Sequence, residues 1–302
     1  MLGPLLLLTA AVIWGASFVA QDVGAETIGS FTYQAVRNMM AALLLLPLCF
    51  VSDAMAKKRG TWQPMTVHSR KYLFLGGTGC GLLLCVSVVL QQFGIANNVT
   101  SPGKDAFITA LYIVFVPIIG LLFGKRSQLH VYLCVVVALI GLWLLCMGGT
   151  GITTGDILVI LCSVGFAFHI ILVDFVAPHV NGIKLSCIQF FVASIVSFVG
   201  MILFEAPDMG DILAAWFPLF YSGVMAGAVG YTLQILGQRH TPSTVASLVM
   251  SLESVVAVVS CMILLPEVPA PSTREWIGMV LIFLAIIASQ LPMPQWFRKK
   301  SQ

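Results

Sequence analysis

Apolar residues in this chain run on without alternating. Ten stretches stand out, at 3–20, 30–51, 72–94, 102–123, 129–147, 155–176, 185–204, 212–236, 244–265 and 275–292. Each is close to the roughly 20 residues that cross a hydrocarbon core as a helix. Continuous runs predict helices, because a membrane barrel needs alternation. The first run resembles a signal peptide in length and in its small residues. It lacks the positively charged start that signal peptides carry, and it reads as the first span.

Charge then orients the spans. Lys57, Lys58, Arg59, Arg70, Lys71, Lys125, Arg126, Lys184, Arg239, Arg298, Lys299 and Lys300 all fall in even-numbered loops or the tail. Those are twelve of the 15 basic residues; Arg37, Lys104 and Arg274 are the exceptions. The odd-numbered loops carry acids, among them Asp22, Glu26, Asp156, Glu205, Asp208 and Asp211. Positive residues favour the cytoplasm, so both termini are expected there.

Composition agrees. Of 302 residues, 59% are hydrophobic and 9% charged. Mean hydropathy is +1.00. A soluble domain carries about a quarter charged residues, so an ordinary soluble enzyme, a nucleic-acid binder and a disordered adaptor are excluded. The eight cysteines lie in apolar runs without Cys-x-x-Cys or zinc-type spacing. They read as buried small hydrophobes, with no disulfide and no metal expected.

The chain repeats weakly. Thr100-Ser101-Pro102 and Thr241-Pro242-Ser243 precede runs in the same register, and Leu111 meets Leu252 at an offset of 141. Trp14-Gly15-Ala16 sits near Phe166-Ala167-Phe168, and Arg37 opposite Gln189. With five spans per half, the second half enters from the other side. The fold expected is an all-α polytopic membrane protein of ten transmembrane helices in two inverted five-helix repeats, residues 1–150 and 151–302. Inverted repeats recur in secondary transporters, with the site at their interface near the midplane.

Further residues carry a family resemblance. They are Trp14-Gly15-Ala16-Ser17-Phe18, Arg37-Asn38, Thr100 to Lys104, Leu111-Tyr112 through Val116-Pro117 to Gly124-Lys125-Arg126, Gln238-Arg239-His240-Thr241, and Ser251-Leu252-Glu253-Ser254 on to Pro266-Glu267. In order and spacing this pattern resembles the drug/metabolite transporter superfamily, and within it the EamA-type proteins of five plus five spans. Ser254 stands where such proteins commonly have Pro, Pro266-Glu267 where they have Gly-Glu, and Gly124-Lys125 where an acid is common. The resemblance implies export or exchange of small metabolites, often amino acids or related compounds, sometimes drug-like, by alternating access in a bacterial inner membrane.

Ionisable groups inside a span are costly, so each is a functional candidate. Arg37 follows Tyr33 and Gln34 at i+4 and i+3. Its planar fork suits an anionic substrate group; the other reading is an Arg tied to backbone carbonyls or to an outer acid. Asp105, Thr109 and Tyr112 form one stripe. Asp105 is a candidate for a coupling proton, or else pairs at the rim or serves the helix dipole. Glu253 lies mid-span, where a carboxyl can gain and lose a proton, or else ties helices through hydroxyls. His169 carries the same proton question against a plain packing role.

Uncharged stripes add Trp14, Ser17 and Gln21; Ser87, Gln91 and Gly94; and Tyr231, Gln234 and Gln238. Amides and aromatics suit a small polar or amphipathic solute, and amides also glue membrane helices. The expected substrate contacts are Trp14, Gln34, Arg37, Gln91, Tyr112, Tyr231 and Gln234. The expected proton carriers are Glu253, Asp105 and His169. Gly223, Gly227 and Gly230, and the stripe Ser243, Ser247, Ser251 and Ser254, read as close packing surfaces. Pro117 is expected to kink or loosen its helix.

No nucleotide-binding loop, nucleophile elbow or zincin motif occurs. The expectation is a carrier with no catalytic residues and no cofactor, partnered by its small-molecule substrate and membrane lipid and by no nucleic acid. Proton coupling is open, as is the oligomeric state. The competing class is a non-transporting membrane receptor or assembly factor.

Overall fold

A computed structural model describes residues 2–97, 102–125, 128–146, 153–265 and 271–291. The Thr100-Ser101 motif, Arg126, Pro266-Glu267 and the basic tail lie outside them. The described residues are helical and contain no strand. Among the described residues, eight helices are long and apolar enough to cross a membrane. They are α1 (Leu2–Ala25), α2 (Ser30–Lys58), α3 (Val67–Asn97), α4 (Pro102–Leu122), α6 (Thr154–His179), α7 (Gly182–Phe204), α8 (Trp216–Gln238) and α9 (Ser243–Leu264). Between and after them come α5 (Leu129–Cys146), with a shorter apolar stretch, and α10 (Thr273–Gln290). The helices outrun the apolar stretches in places. α2 continues to Lys58 and α3 begins at Val67, since a helix need not stop where its side chains become polar.

The polarity is inverted relative to a soluble protein. Leu203, Phe204, Phe50 and Ile195 face outward. Gln21, Gln34, Arg37, Asn38, Gln92, His169, Gln189 and Glu253 lie inside. Outward apolar faces and inward polar ones are what lipid as solvent demands. The protein is a multi-pass membrane protein.

Helix pairing places the centre. α2 packs along α7, α3 along α6 and α7, α1 along α8 and α9, α4 along α9 and α6, and α5 along α10. Lipid supplies little hydrophobic drive between helices, so close approach and polar ties must hold them. A Cβ on Gly15 would lie 2.5 Å from Val256 and 2.7 Å from the Glu253 carbonyl, so α1 and α9 meet almost backbone to backbone. The pair α2–α7 is tied along its length. Lys184 binds Asp53 at 2.7 Å, Ser194 donates to the Ala35 carbonyl at 3.1 Å, and Glu205 accepts from Phe31 and Thr32 backbone N–H at 2.8 and 2.7 Å. That last contact caps α2 from outside, where its own N-cap, Gly29, has no side chain to offer.

Two helices break at matching places. α4 consists of Pro102–Thr109 and Tyr112–Leu122; α9 consists of Ser243–Met250 and Leu252–Leu264. Both breaks are tightened turns, with N–H groups reaching back three residues from Ile113 to Ala110 and from Ser254 to Ser251. Pro117 does not make the break. Tyr112–Leu122 runs through it, and α9 breaks with no proline inside it. The serines of α9 also do more than give clearance. Ser247, Ser251 and Ser254 each donate to the carbonyl three residues back, at 2.9, 2.8 and 2.8 Å, which bends and tightens this stretch.

Gly15→Val is expected to force α1 off α9 and cost about 1–3 kcal/mol, as overpacking does. Thermal unfolding in detergent checks this, and an unchanged melting temperature would contradict the packing described.

Candidate functional site

The breaks in α4 and α9 set the site. They place Tyr112 and Glu253 just past each turn, and the two side chains face one another. Around them lies a central cavity lined by Trp14, Ser17, Phe18 and Gln21 of α1, Arg37 of α2, Gln91 of α3, Thr109 and Tyr112 of α4, Phe166 and Ile170 of α6, Tyr231 and Gln234 of α8, and Met250 and Glu253 of α9. Its volume is about 40 Å³, enough for a few water molecules.

The walls are held by specific bonds. Trp14 donates its indole N–H to the Ala226 carbonyl at 3.0 Å, within the π-helical stretch Tyr221–Tyr231. Its ring packs against Tyr231, centroids 4.7 Å apart. Gly230 lies directly beneath that indole, so this glycine and its neighbours Gly223 and Gly227 do serve close packing. Gln91 donates to Thr109 at 3.1 Å. Glu253 and Tyr112 are 4% and 3% exposed; the Tyr112 hydroxyl is set against the Glu253 carboxyl, and Glu253 Oε1 has no close hydrogen-bond partner among the described residues.

Arg37 is the other unusual group. It is 3% exposed. Its Nη1 donates to Gln21 Oε1 at 3.2 Å, its Nε has no acceptor, and no carboxylate pairs with it among the described residues. Gln92 fixes the helix carrying Gln21 by donating to the Gln21 carbonyl at 3.0 Å. An amide is a weak partner for a buried cation. The cavity therefore holds an under-coordinated guanidinium on one wall and a carboxyl on another. Such a pairing can bind an anionic group and exchange a proton; it holds no metal-ligand cluster among the described residues.

The residues singled out from the sequence divide. Trp14, Arg37, Gln91, Tyr112, Tyr231, Gln234 and Glu253 come together at the cavity. Gln34 does not reach it and donates to Gln92 at 3.4 Å. His169 stands one layer back, bonded to Gln189 at 3.1 Å and edge-on to Tyr231. Asp105 is buried in the first segment of α4, away from the lining, and its neighbour Lys104 pairs with Asp156 at 2.8 Å. Gln238 is used on the Ile170 carbonyl of α6 at 2.9 Å. Phe166, known from the sequence only as a repeat counterpart of Trp14, and Ile170 also line the cavity as apolar residues. They sit 152 positions after Trp14 and Phe18, so the repeat was the signal that could have found them.

The sequence profile of the EamA-like transporter family matches residues 1–147 and again residues 153–289. This chain belongs to that family. A protein of Archaeoglobus fulgidus described as an uncharacterized transporter is 27% identical over 286 residues, covering 93% of this chain and 83% of its own. A solved crystal structure of another protein shares the fold, with a TM-score of 0.72 at 17% identity over 99% of each chain. The EamA family, a drug/metabolite transporter family, thus accounts for the membrane architecture and makes this chain a membrane transporter.

Two tyrosines separate structure from function. Tyr33 bonds Ser222 Oγ at 2.5 Å, so Tyr33→Phe should cost about 1 kcal/mol of stability. Tyr112→Phe removes a hydroxyl set against the Glu253 carboxyl but short of close hydrogen-bond geometry, and should cost less, under about 0.5 kcal/mol, while altering transport. Unfolding curves of both variants check this; equal losses would contradict it.

Proposed function

We propose that this chain is a secondary carrier that moves a small carboxylate-bearing metabolite, an amino acid or related compound, outward across a bacterial inner membrane. The observation that carries the reading is Arg37, a buried guanidinium with an amide for its acceptor, in a cavity with Glu253. The substrate carboxylate completes the coordination that the protein leaves short. The rest of the molecule lies against Trp14 and Tyr231, and the amides of Gln91 and Gln234 bond its polar groups. The Gln234 Oε1 has no partner within the protein, which leaves an acceptor for an amine or hydroxyl.

Alternating access between two inverted five-helix repeats is the mechanism, with ten spans and both termini in the cytoplasm. Several features support it. The family profile matches each half. The breaks of α4 and α9 fall at a common offset of 141. Contacts also exchange between halves, α1 with α8 and α9, α6 with α3 and α4. Loops rich in Lys and Arg alternate with acidic ones. Polar ties at both ends of α2–α7, Glu205 at one and Lys184–Asp53 at the other, are contacts that must open in turn. Glu253 carries the coupling proton: it is buried, faces the cavity and has an unpartnered oxygen.

Two variants test this. Glu253→Gln keeps the shape and removes the proton site; gradient-driven uptake should be abolished while substrate exchange continues. Arg37→Lys loses the planar fork and should weaken carboxylate substrates by roughly tenfold or more, as befits a charged hydrogen bond, with much less effect on their amides. Equal losses for acid and amide would remove Arg37 from the binding role.

A further inference from the structure

A second cavity, about 480 Å³, opens on the outer surface between α3 and α6, lined in part by His68, Lys71, Tyr72, Leu75, Phe175 and Val176. It is separate from the central cavity and shares no residue with it. Its two ends differ in chemistry. Along the helices the wall is apolar, and Leu75 and Phe175 are 65% and 53% exposed. At the mouth, Tyr72 packs between two imidazoles, with ring centroids 4.7 Å from His68 and 4.4 Å from His179. Lys71 stands beside them.

The groove's depth in the membrane follows from the sequence. On α3, Arg70-Lys71 gives way to Tyr72-Leu73-Phe74-Leu75; on α6, the apolar Phe175-Val176 gives way to Pro178-His179. Both helices change from apolar to polar at the same level, which is where a bilayer's hydrocarbon meets its headgroups. A π-helical turn, Tyr72–Gly76, starts the apolar section of α3, and Gly76 rests on Val176 of α6, forming the groove floor.

The polar groups at the mouth are available. Among the described residues no side-chain hydrogen bond or ion pair engages Lys71, His68 or His179. Asp174, next to Phe175, is already paired with Lys125. The lipid-facing position decides the occupant, since apolar surface at this depth meets acyl chains rather than water or a soluble protein. We infer that this groove binds one anionic phospholipid, its phosphate held by Lys71, His68 and His179 and an acyl chain laid along Leu75, Leu172 and Phe175. A basic pocket between spans is suited to such a headgroup. Imidazole N–H and ammonium groups both donate to phosphate oxygens.

Native mass spectrometry of the purified full-length protein tests this, with phosphatidylglycerol and phosphatidylcholine offered in equal amounts. One phosphatidylglycerol should be retained in preference to phosphatidylcholine. Lys71→Ala should lower its retention roughly fivefold, the effect of one basic residue near a lipid surface, and adding His68→Ala and His179→Ala should abolish the preference. Neutralising Lys57, Lys58 and Arg59 together should leave it in place. Inorganic phosphate should not compete, because it lacks the acyl chain. Equal retention of the two lipids would overturn the inference. So would competition by inorganic phosphate, or loss of preference with the Lys57–Arg59 variant and none with Lys71→Ala. Gel filtration of each variant keeps folding failure apart from loss of binding.

Discussion

The centre of this protein depends on one guanidinium kept from water, with no carboxylate paired to it among the described residues. Arg37 donates to an amide of α1, and around that contact a chain of amides is spent in support: Gln92 on the Gln21 backbone, Gln34 on Gln92. A buried charge compensated so thinly costs stability. Membrane proteins keep such groups where something else completes them. On the proposed function, a substrate carboxylate does so in the cavity that Arg37 lines.

Geometry around that charge comes from backbone, not from bulk. α1 approaches α9 at Gly15 and α8 at Gly230, which seats Trp14 against Tyr231 and close to the break of α9. The breaks in α4 and α9 then turn Tyr112 and Glu253 inward at related positions. The site is therefore a product of two tightened turns, serine bonds to carbonyls and glycine contacts.

Much of this was legible in the sequence. Continuous apolar runs marked the helices, and rare polar residues within them marked Arg37 and Glu253. What sequence periodicity could not supply was the neighbour covering each face. Asp105, His169 and Glu253 look alike as lone ionisable residues in apolar runs, yet Glu253 alone of the three lines the cavity. His169 is covered by Gln189 from α7 and by Tyr231 from α8, contacts twenty and more residues distant. Gln34 and Gln91 likewise differ only in what packs against them. The turn at Ala110–Leu111 was not marked by Pro117, which lies further along the same helix, and its counterpart in α9 has no proline inside it. The surface groove at Tyr72 needed the π-turn and the facing helix, and neither is written in one segment alone.

The most direct measurement is solute flux into proteoliposomes holding the purified protein, with amino acids, nucleobases and cationic drugs presented with and without an imposed pH gradient. The account predicts that carboxylate-bearing solutes move, that the gradient drives them, and that nucleobases and cationic drugs do not compete. Folded protein that moves none of these solutes, or moves cations in preference to carboxylates, would contradict it.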